Sequence, residues 1–343
     1  MRYRFCCSVA LAAFVVLTQA GEGHAQNGVT PGTSYGPGRR VLLDAHNAYP
    51  TEGRFEDRID RALATGMPLA IEQDLFWLVD PRSGVGRSVV AHVTEEAAGN
   101  PSFEDYFFKK VAPIMDKALA ENKQADWPLI TLNLDFKSNE PEHHAAVWAL
   151  LGKYERWLTT AERTATPDVL APLRLGPMLV LTGSNDAQQI SFDAKVPVGQ
   201  RLRVFGATTE PEIPGANRAE KAKNYAAMPM ADVLPKGASN YRRWVNFSWG
   251  VIEAGGIPAS ADWTPAEAER VKALVARAHA LGLWIRFYTL NGHSKEEDKG
   301  WGAGYNFGSL ANAQLRWRAA IDAGTDFIAS DMYEALAQFK KGR

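Results

Sequence analysis

The stretch Val41-Leu42-Leu43-Asp44-Ala45-His46-Asn47-Ala48-Tyr49-Pro50 decides how the chain is read. Its first half is apolar and β-prone. It then stops on a polar pair, His46-Asn47, before Pro50 and Gly53 break any regular element. An imidazole at the carboxyl end of a strand, where a loop begins, stands where parallel α/β folds keep their chemistry. A histidine there can equally be a structural hydrogen bonder, so the weight of His46 depends on whether polar strand ends recur.

They do recur. Short apolar runs at Val41–Ala45, Leu69–Leu75, Leu129–Asp135, Pro177–Thr182, Leu202–Phe205, Trp244–Trp249, Leu283–Tyr288 and Asp326–Ser330 predict eight strands. Between them lie helical periods: Ile59, Ala62 and Leu63 stopped by Gly66; Phe107, Phe108, Val111, Met115 and Leu119; Val147, Leu150, Leu151, Tyr154 and Leu158. Thr264-Pro265-Ala266-Glu267 is a capping box with proline at the first helical position, followed by Val271, Leu274, Val275 and Ala278 and closed by Gly282. Eight strands alternating with helices predict an α/β fold, a single (β/α)8 barrel whose βα loops carry the active site. An open doubly wound sheet alternates similarly, but no G-x-G-x-x-G follows the first strand.

The chain has 343 residues, 46% hydrophobic and 22% charged, which suits a globular protein. Residues 1–25 read as a signal peptide: Arg2 and Arg4 form a basic start, Val9 to Leu17 an apolar stretch too short to span a bilayer, and Gly23-His24-Ala25 a small-residue cleavage site. The expected location is therefore secreted or periplasmic. Both cysteines, Cys6 and Cys7, fall in this leader, so the mature chain offers no disulfide, thiolate ligand or Cys nucleophile. Residues 26–40, rich in Gly, Pro, Ser and Thr, read as a flexible lead-in, and 41–343 as the single (β/α)8 domain. The net charge of −1 becomes −2 once Arg2, Arg4 and Glu22 are removed, so no global field draws the protein to nucleic acid. No later stretch has the roughly 20 apolar residues of a transmembrane helix, and a monomer is expected.

The strand ends supply the chemistry. Glu72 and Asp74, two residues apart on the second strand, point to one face, and Asp135 and Lys137 repeat the spacing on the third. Three carboxylates from adjacent strands make a hard oxygen site suited to Mg²⁺ or Ca²⁺ rather than zinc. The alternative is an Asp135–Lys137 ion pair beside two solvated acids.

Asp44-Ala45-His46-Asn47-Ala48-Tyr49, Ile71-Glu72-Gln73-Asp74 and Leu134-Asp135-Phe136-Lys137, taken in this order, resemble the PLC-like phosphodiesterase superfamily. That superfamily includes phosphatidylinositol-specific phospholipases C, glycerophosphodiester phosphodiesterases and sphingomyelinase D-type enzymes. Ile285-Arg286-Phe287-Tyr288-Thr289-Leu290-Asn291 and Ala323-Gly324-Thr325-Asp326-Phe327-Ile328-Ala329-Ser330-Asp331 are similar to its closing segments. The HN-x-Y form after the first strand looks closest to secreted members rather than to the H-R-G form of glycerophosphodiesterases. The resemblance implies that Glu72, Asp74 and Asp135 hold one divalent cation and that Lys137 pairs with the phosphate. It also implies His46 as one acid/base and a second histidine as the other. His92, in Val89-Val90-Ala91-His92, is the candidate, and His293 after the seventh strand is its rival. The implied reaction is hydrolysis of a phospholipid or glycerophosphodiester-like substrate, through a cyclic phosphate.

Asn47 either orients His46 or contacts the metal shell, or it only forms a turn; with Asn246 and Tyr288 of strands six and seven it is a candidate substrate-binding residue. His143 and His144 are expected to be exposed at a helix start, and His279 to lie on the surface. The loop from Gly206 to Tyr241 is either a lid or an exposed helix between strands. Two other functions stay open: a glycoside hydrolase, although Glu72 and Asp74 sit too close for its usual acid pair, and a non-catalytic barrel that binds phosphorylated or lipid ligands.

Overall fold

A computed structural model describes residues 35–51, 56–125, 128–254, 263–297 and 306–342. The expected signal peptide and residues 26–34 of the lead-in lie outside the described residues. Eight parallel strands form the ring: β1 Leu42–Ala45, β2 Leu69–Val79, β3 Ile130–Phe136, β4 Met178–Thr182, β5 Phe205–Ala207, β6 Arg242–Ser248, β7 Trp284–Tyr288 and β8 Phe327–Ser330. Each pairs with its sequence neighbours, and β1 closes the barrel by pairing with β8 on one side and β2 on the other, Asp44 opposite Ala70. Helices α1 Arg58–Ala64, α2 Lys109–Ala120, α3 Pro141–Lys153, α4 Asp186–Gln189, α5 Arg218–Ala227, α6 Pro265–Ala280, α7 Leu310–Ala323 and α8 Tyr333–Lys341 follow the strands in turn. The chain therefore folds as a (β/α)8 barrel. The α6 capping box is present, and Val271, Leu274, Val275 and Ala278 are its buried stripe. Strands β1, β4 and β8 are buried along their whole length, as expected when helices cover the outside and side chains fill the inside.

The fifth strand begins later than its apolar run predicts. Arg201–Leu202 instead pairs with Thr160–Glu162, which also pairs with Leu173–Arg174, in a small antiparallel sheet outside the ring. The barrel strand centres on Gly206, where a Cβ would come 2.4 Å from the Tyr241 ring. The glycine at which the loop is expected to begin is thus part of the strand and a packing necessity there. The segment from Gly206 to Tyr241 holds α5, so its charged stretch is a helix between strands. The second strand runs on past the barrel to Val79 and returns as an antiparallel strand, Gly86–Val90, with Leu75 opposite Val90.

At the amino-terminal end of the barrel, residues 35–40 lie against the ring. Gly38 N donates to Asp326 Oδ1 (2.8 Å) and Trp284 Nε1 to the Tyr35 carbonyl (3.0 Å). His279 is half-buried rather than on the surface, because its Nε2 meets Asp326 Oδ2 at 2.9 Å. His143 and His144 are buried, contrary to expectation. Pro141 starts α3 so that its third and fourth residues face inward, where His143 meets Ser88 Oγ (2.8 Å) and both rings pack edge-on against Phe136. No helix among the described residues is long and apolar enough to cross a membrane.

Candidate active site

His46 follows the last residue of β1 and is 6% exposed. Its Nδ1 lies 2.7 Å from Asn47 Nδ2 and 3.3 Å from Asp331 Oδ2, while Nε2 points the other way, 3.6 Å from Glu72 Oε1. Asn47 reaches this position from the left-handed region, at φ 54°, where Asn is among the tolerated residues. Its Nδ2 also donates to Asp331 Oδ1 at 3.0 Å. Nδ1 donates to Asp331 whenever it carries a proton, in the charged ring and in the neutral tautomer that loss of the Nε2 proton leaves, and it can accept from Asn47 only in the tautomer protonated at Nε2. Asn291, after β7, fixes Asp331 from behind by donating to its Oδ2 and accepting its backbone N–H at 2.8 Å. Burial opposes the His46 charge, but the Glu72 and Asp331 carboxylates outweigh it and raise the ring to about 9.

Glu72 and Asp74 both point into the lumen, and β3 brings Asp135 directly opposite Asp74. One oxygen from each of Glu72, Asp74 and Asp135 lies within 4.8 Å of the others. Lys137 joins them, its Nζ 2.7 Å from Asp135 Oδ2 and 3.1 Å from Asp74 Oδ2. Burial, reinforced by Asp135 and Glu72, pushes Asp74 up to about 6. Glu72 is held down at about 2, because the charges of His46, Arg286 and Lys137 overcome the effect of its burial. With Arg286 set against Asp44 and His46 against Asp331, the trio keeps three negative charges against the one of Lys137. Asp74 Oδ1 is buried without a hydrogen-bond partner. An orphaned carboxylate oxygen and two uncompensated charges in an all-oxygen set fit a divalent cation of the Mg²⁺ or Ca²⁺ kind.

Beneath the mouth lies a layer organised by Arg286, a residue outside the sequence-derived candidates, of which Asn246 is one. Arg286 is 1% exposed and reaches across the lumen from β7 to bind Asp44 on β1, Glu72 Oε2 on β2 (2.5 Å) and Asn246 Oδ1 on β6 (2.9 Å). Strands β7 and β2 are not neighbours, so these side chains must meet inside the ring. Asn133 of β3 adds a second hydrogen bond to Glu72 Oε2 at 3.1 Å. Asn246 thus serves Arg286. Tyr288, two residues after Arg286, stacks on His46 with centroids 6.1 Å apart. The sequence signal for Arg286 is a charge in the middle of an apolar strand; that for Asp331 and Asn291 is their place just past β8 and β7.

His92 is delivered to the rim by the strand that returns along β2, with Ala91 N donating to the Asp74 carbonyl at 3.1 Å. Its Nδ1 lies 2.5 Å from Asp74 Oδ2, and its ring stacks at 6.1 Å on Tyr49, whose hydroxyl donates to Asn47 Oδ1. The side chain is 49% exposed. His293 instead faces Glu297, with Nδ1 3.7 Å from Oε2. Two members of the carboxylate trio are therefore met by histidines, Glu72 by His46 and Asp74 by His92.

No family model matches the chain, and no curated protein matches it. Among solved structures it is similar to a glycerophosphoryl diester phosphodiesterase from Parabacteroides distasonis, at 12% identity and TM-score 0.41, over 90% of this chain and 89% of that one. It is also similar to a Plasmodium falciparum HPPK-DHPS solved with pterin and p-hydroxybenzoate, at 10% identity and TM-score 0.43. That likeness covers 89% of this chain but about half, 48%, of the other.

Proposed function

We propose that this barrel is a divalent-cation-dependent phosphodiesterase of the PLC-like superfamily its motifs resemble, acting on a phospholipid or glycerophosphodiester-like substrate. The carrying observation is a pair of histidines set against two members of one carboxylate trio, His46 at Glu72 and His92 at Asp74, with the buried Asp74 Oδ1 unpartnered. Glu72, Asp74 and Asp135 would hold the cation, which supplies charge neutralisation for a phosphate oxygen when bound. Lys137 offers a point charge to the same phosphate. His46, kept protonated by Glu72 and Asp331, gives its Nε2 proton to the leaving oxygen. His92, at the open rim, takes the proton of the attacking hydroxyl. His46 lies against Asn47, Asp331 and Glu72 and His92 against Asp74, an acid/base arrangement in keeping with a nucleophile borne by the substrate and a cyclic first product.

The test is leaving-group dependence. His46→Ala and His92→Ala should each lower kcat by about 10²–10⁴ on an alkyl phosphodiester. On a nitrophenyl phosphodiester, whose leaving group needs no proton, His46→Ala should regain most of its rate and His92→Ala should not. Full activity of His92→Ala together with a dead His293→Ala would move the second role to His293. A wild-type protein that binds the cation yet turns over no phosphodiester would make the barrel a binding module. In this proposal residues 1–25 are a signal peptide and the protein is secreted or periplasmic. Mass spectrometry of exported protein should find a start near Gln26, and an intact amino terminus overturns that part.

A further inference from the structure

We propose that Arg286 is a positioning residue that makes Glu72 a one-oxygen ligand of the cation site; the inference rests on the cation-dependent reading of the carboxylate trio. Glu72 has two oxygens with separate duties. Oε2 accepts from Arg286 Nη2 at 2.5 Å and from Asn133 Nδ2 at 3.1 Å, which uses up its in-plane lone pairs. Oε1 faces the mouth, 3.6 Å from His46 Nε2, and is left as the oxygen that can turn to a cation. Without the guanidinium, Glu72 could swing both oxygens toward the ion, or pair with an ion sunk beside Asp44.

The residue type matters because the three partners lie in three directions: Asp44 from Nε, Asn246 from Nη1 and Glu72 from Nη2. A planar fork meets all three at once. A lysine, with the same charge at a single nitrogen, cannot. The guanidinium is itself held from above by the Tyr288 ring, whose centroid is 5.5 Å from Cζ. Removing it altogether takes from Asp44 and Glu72, 1% and 3% exposed, the one cation that bonds to both.

The experiment is calorimetric titration of the whole protein with MgCl₂ and with CaCl₂, beside kcat and KM on one phosphodiester. Arg286→Lys should keep its metal-free melting temperature within a few degrees, weaken cation affinity about 10- to 100-fold, as loss of a ligand's supporting partner does, and lower kcat with little change in KM. Should Arg286→Lys fail to fold, the charge-balanced pair Asp44→Asn/Arg286→Met takes its place with the same expected loss. Equal cation affinity in wild type and the folded variant overturns the positioning role and leaves the cation site standing. A wild-type protein that binds neither ion overturns both.

Discussion

Asp74 holds the sharpest conflict among the site residues: it is fully buried, hydrogen-bonded on one oxygen to His92 and unpartnered on the other. Asp74→Asn should therefore abolish measurable Mg²⁺ or Ca²⁺ binding in calorimetry, while the metal-free melting temperature holds or rises because a buried charge beside two others is gone. Unchanged divalent affinity would refute the ligand assignment. Because burial lifts Asp74 to about 6, protons and cation compete for it. Cation affinity should fall as pH drops through 6, and binding at pH 6 should release protons, which titration in two buffers of different ionisation heat will show. His46 is also raised, and its linkage is to stability. Its folded value of about 9 lies above the free value of 6.5, so its contribution to stability is complete below 6.5 and is lost as pH rises through 9. The alkaline limb of kcat should follow the same ring, and cation bound at Glu72 should move that limb downward by cancelling part of the field that raises it.

Among the elements, those with strong local patterns were legible before the structure. The α6 capping box and apolar stripe read directly, and the order of the eight strands followed from alternation alone. Glu72, Asp74, Asp135 and His46 were legible because i and i+2 on a strand share a face, so a short polar repeat at a strand end has one geometric meaning. What was not legible depended on partners distant in sequence. Leu202–Phe205 looks apolar enough for a strand, yet its first residue is claimed by Thr160–Glu162 and the ring takes Gly206 instead. Arg286 could be seen, but its partners Asp44 and Glu72 are more than 200 positions away. His143 and His144 followed an exposure rule for helix starts that Phe136 and Ser88 override. The Gly206 position can be checked by chemical denaturation: Gly206→Ala puts a methyl against the Tyr241 ring and should cost about 1–3 kcal/mol without changing cation affinity, whereas a neutral result would show that the ring yields freely.

At the scale of the whole molecule, the closed ring and the returning strand are different kinds of structure. The ring joins β1 to both neighbours and shares one continuous core, whereas Val89, Ala91 and Ala97 form a separate small apolar cluster with Phe76 and Leu78. Hydrogen exchange should show the outer part of β2 and residues 86–92 opening before residues 69–75 and the other ring strands. Equal protection across both would mean that they unfold as one unit. His46, Glu72, Asp74 and Arg286 belong to the ring, and His92 to the appendage. If the barrel has the proposed activity, rising urea should therefore abolish it while the ring is still folded and still able to bind a cation, so that a plot of activity falls ahead of the plot of ellipticity.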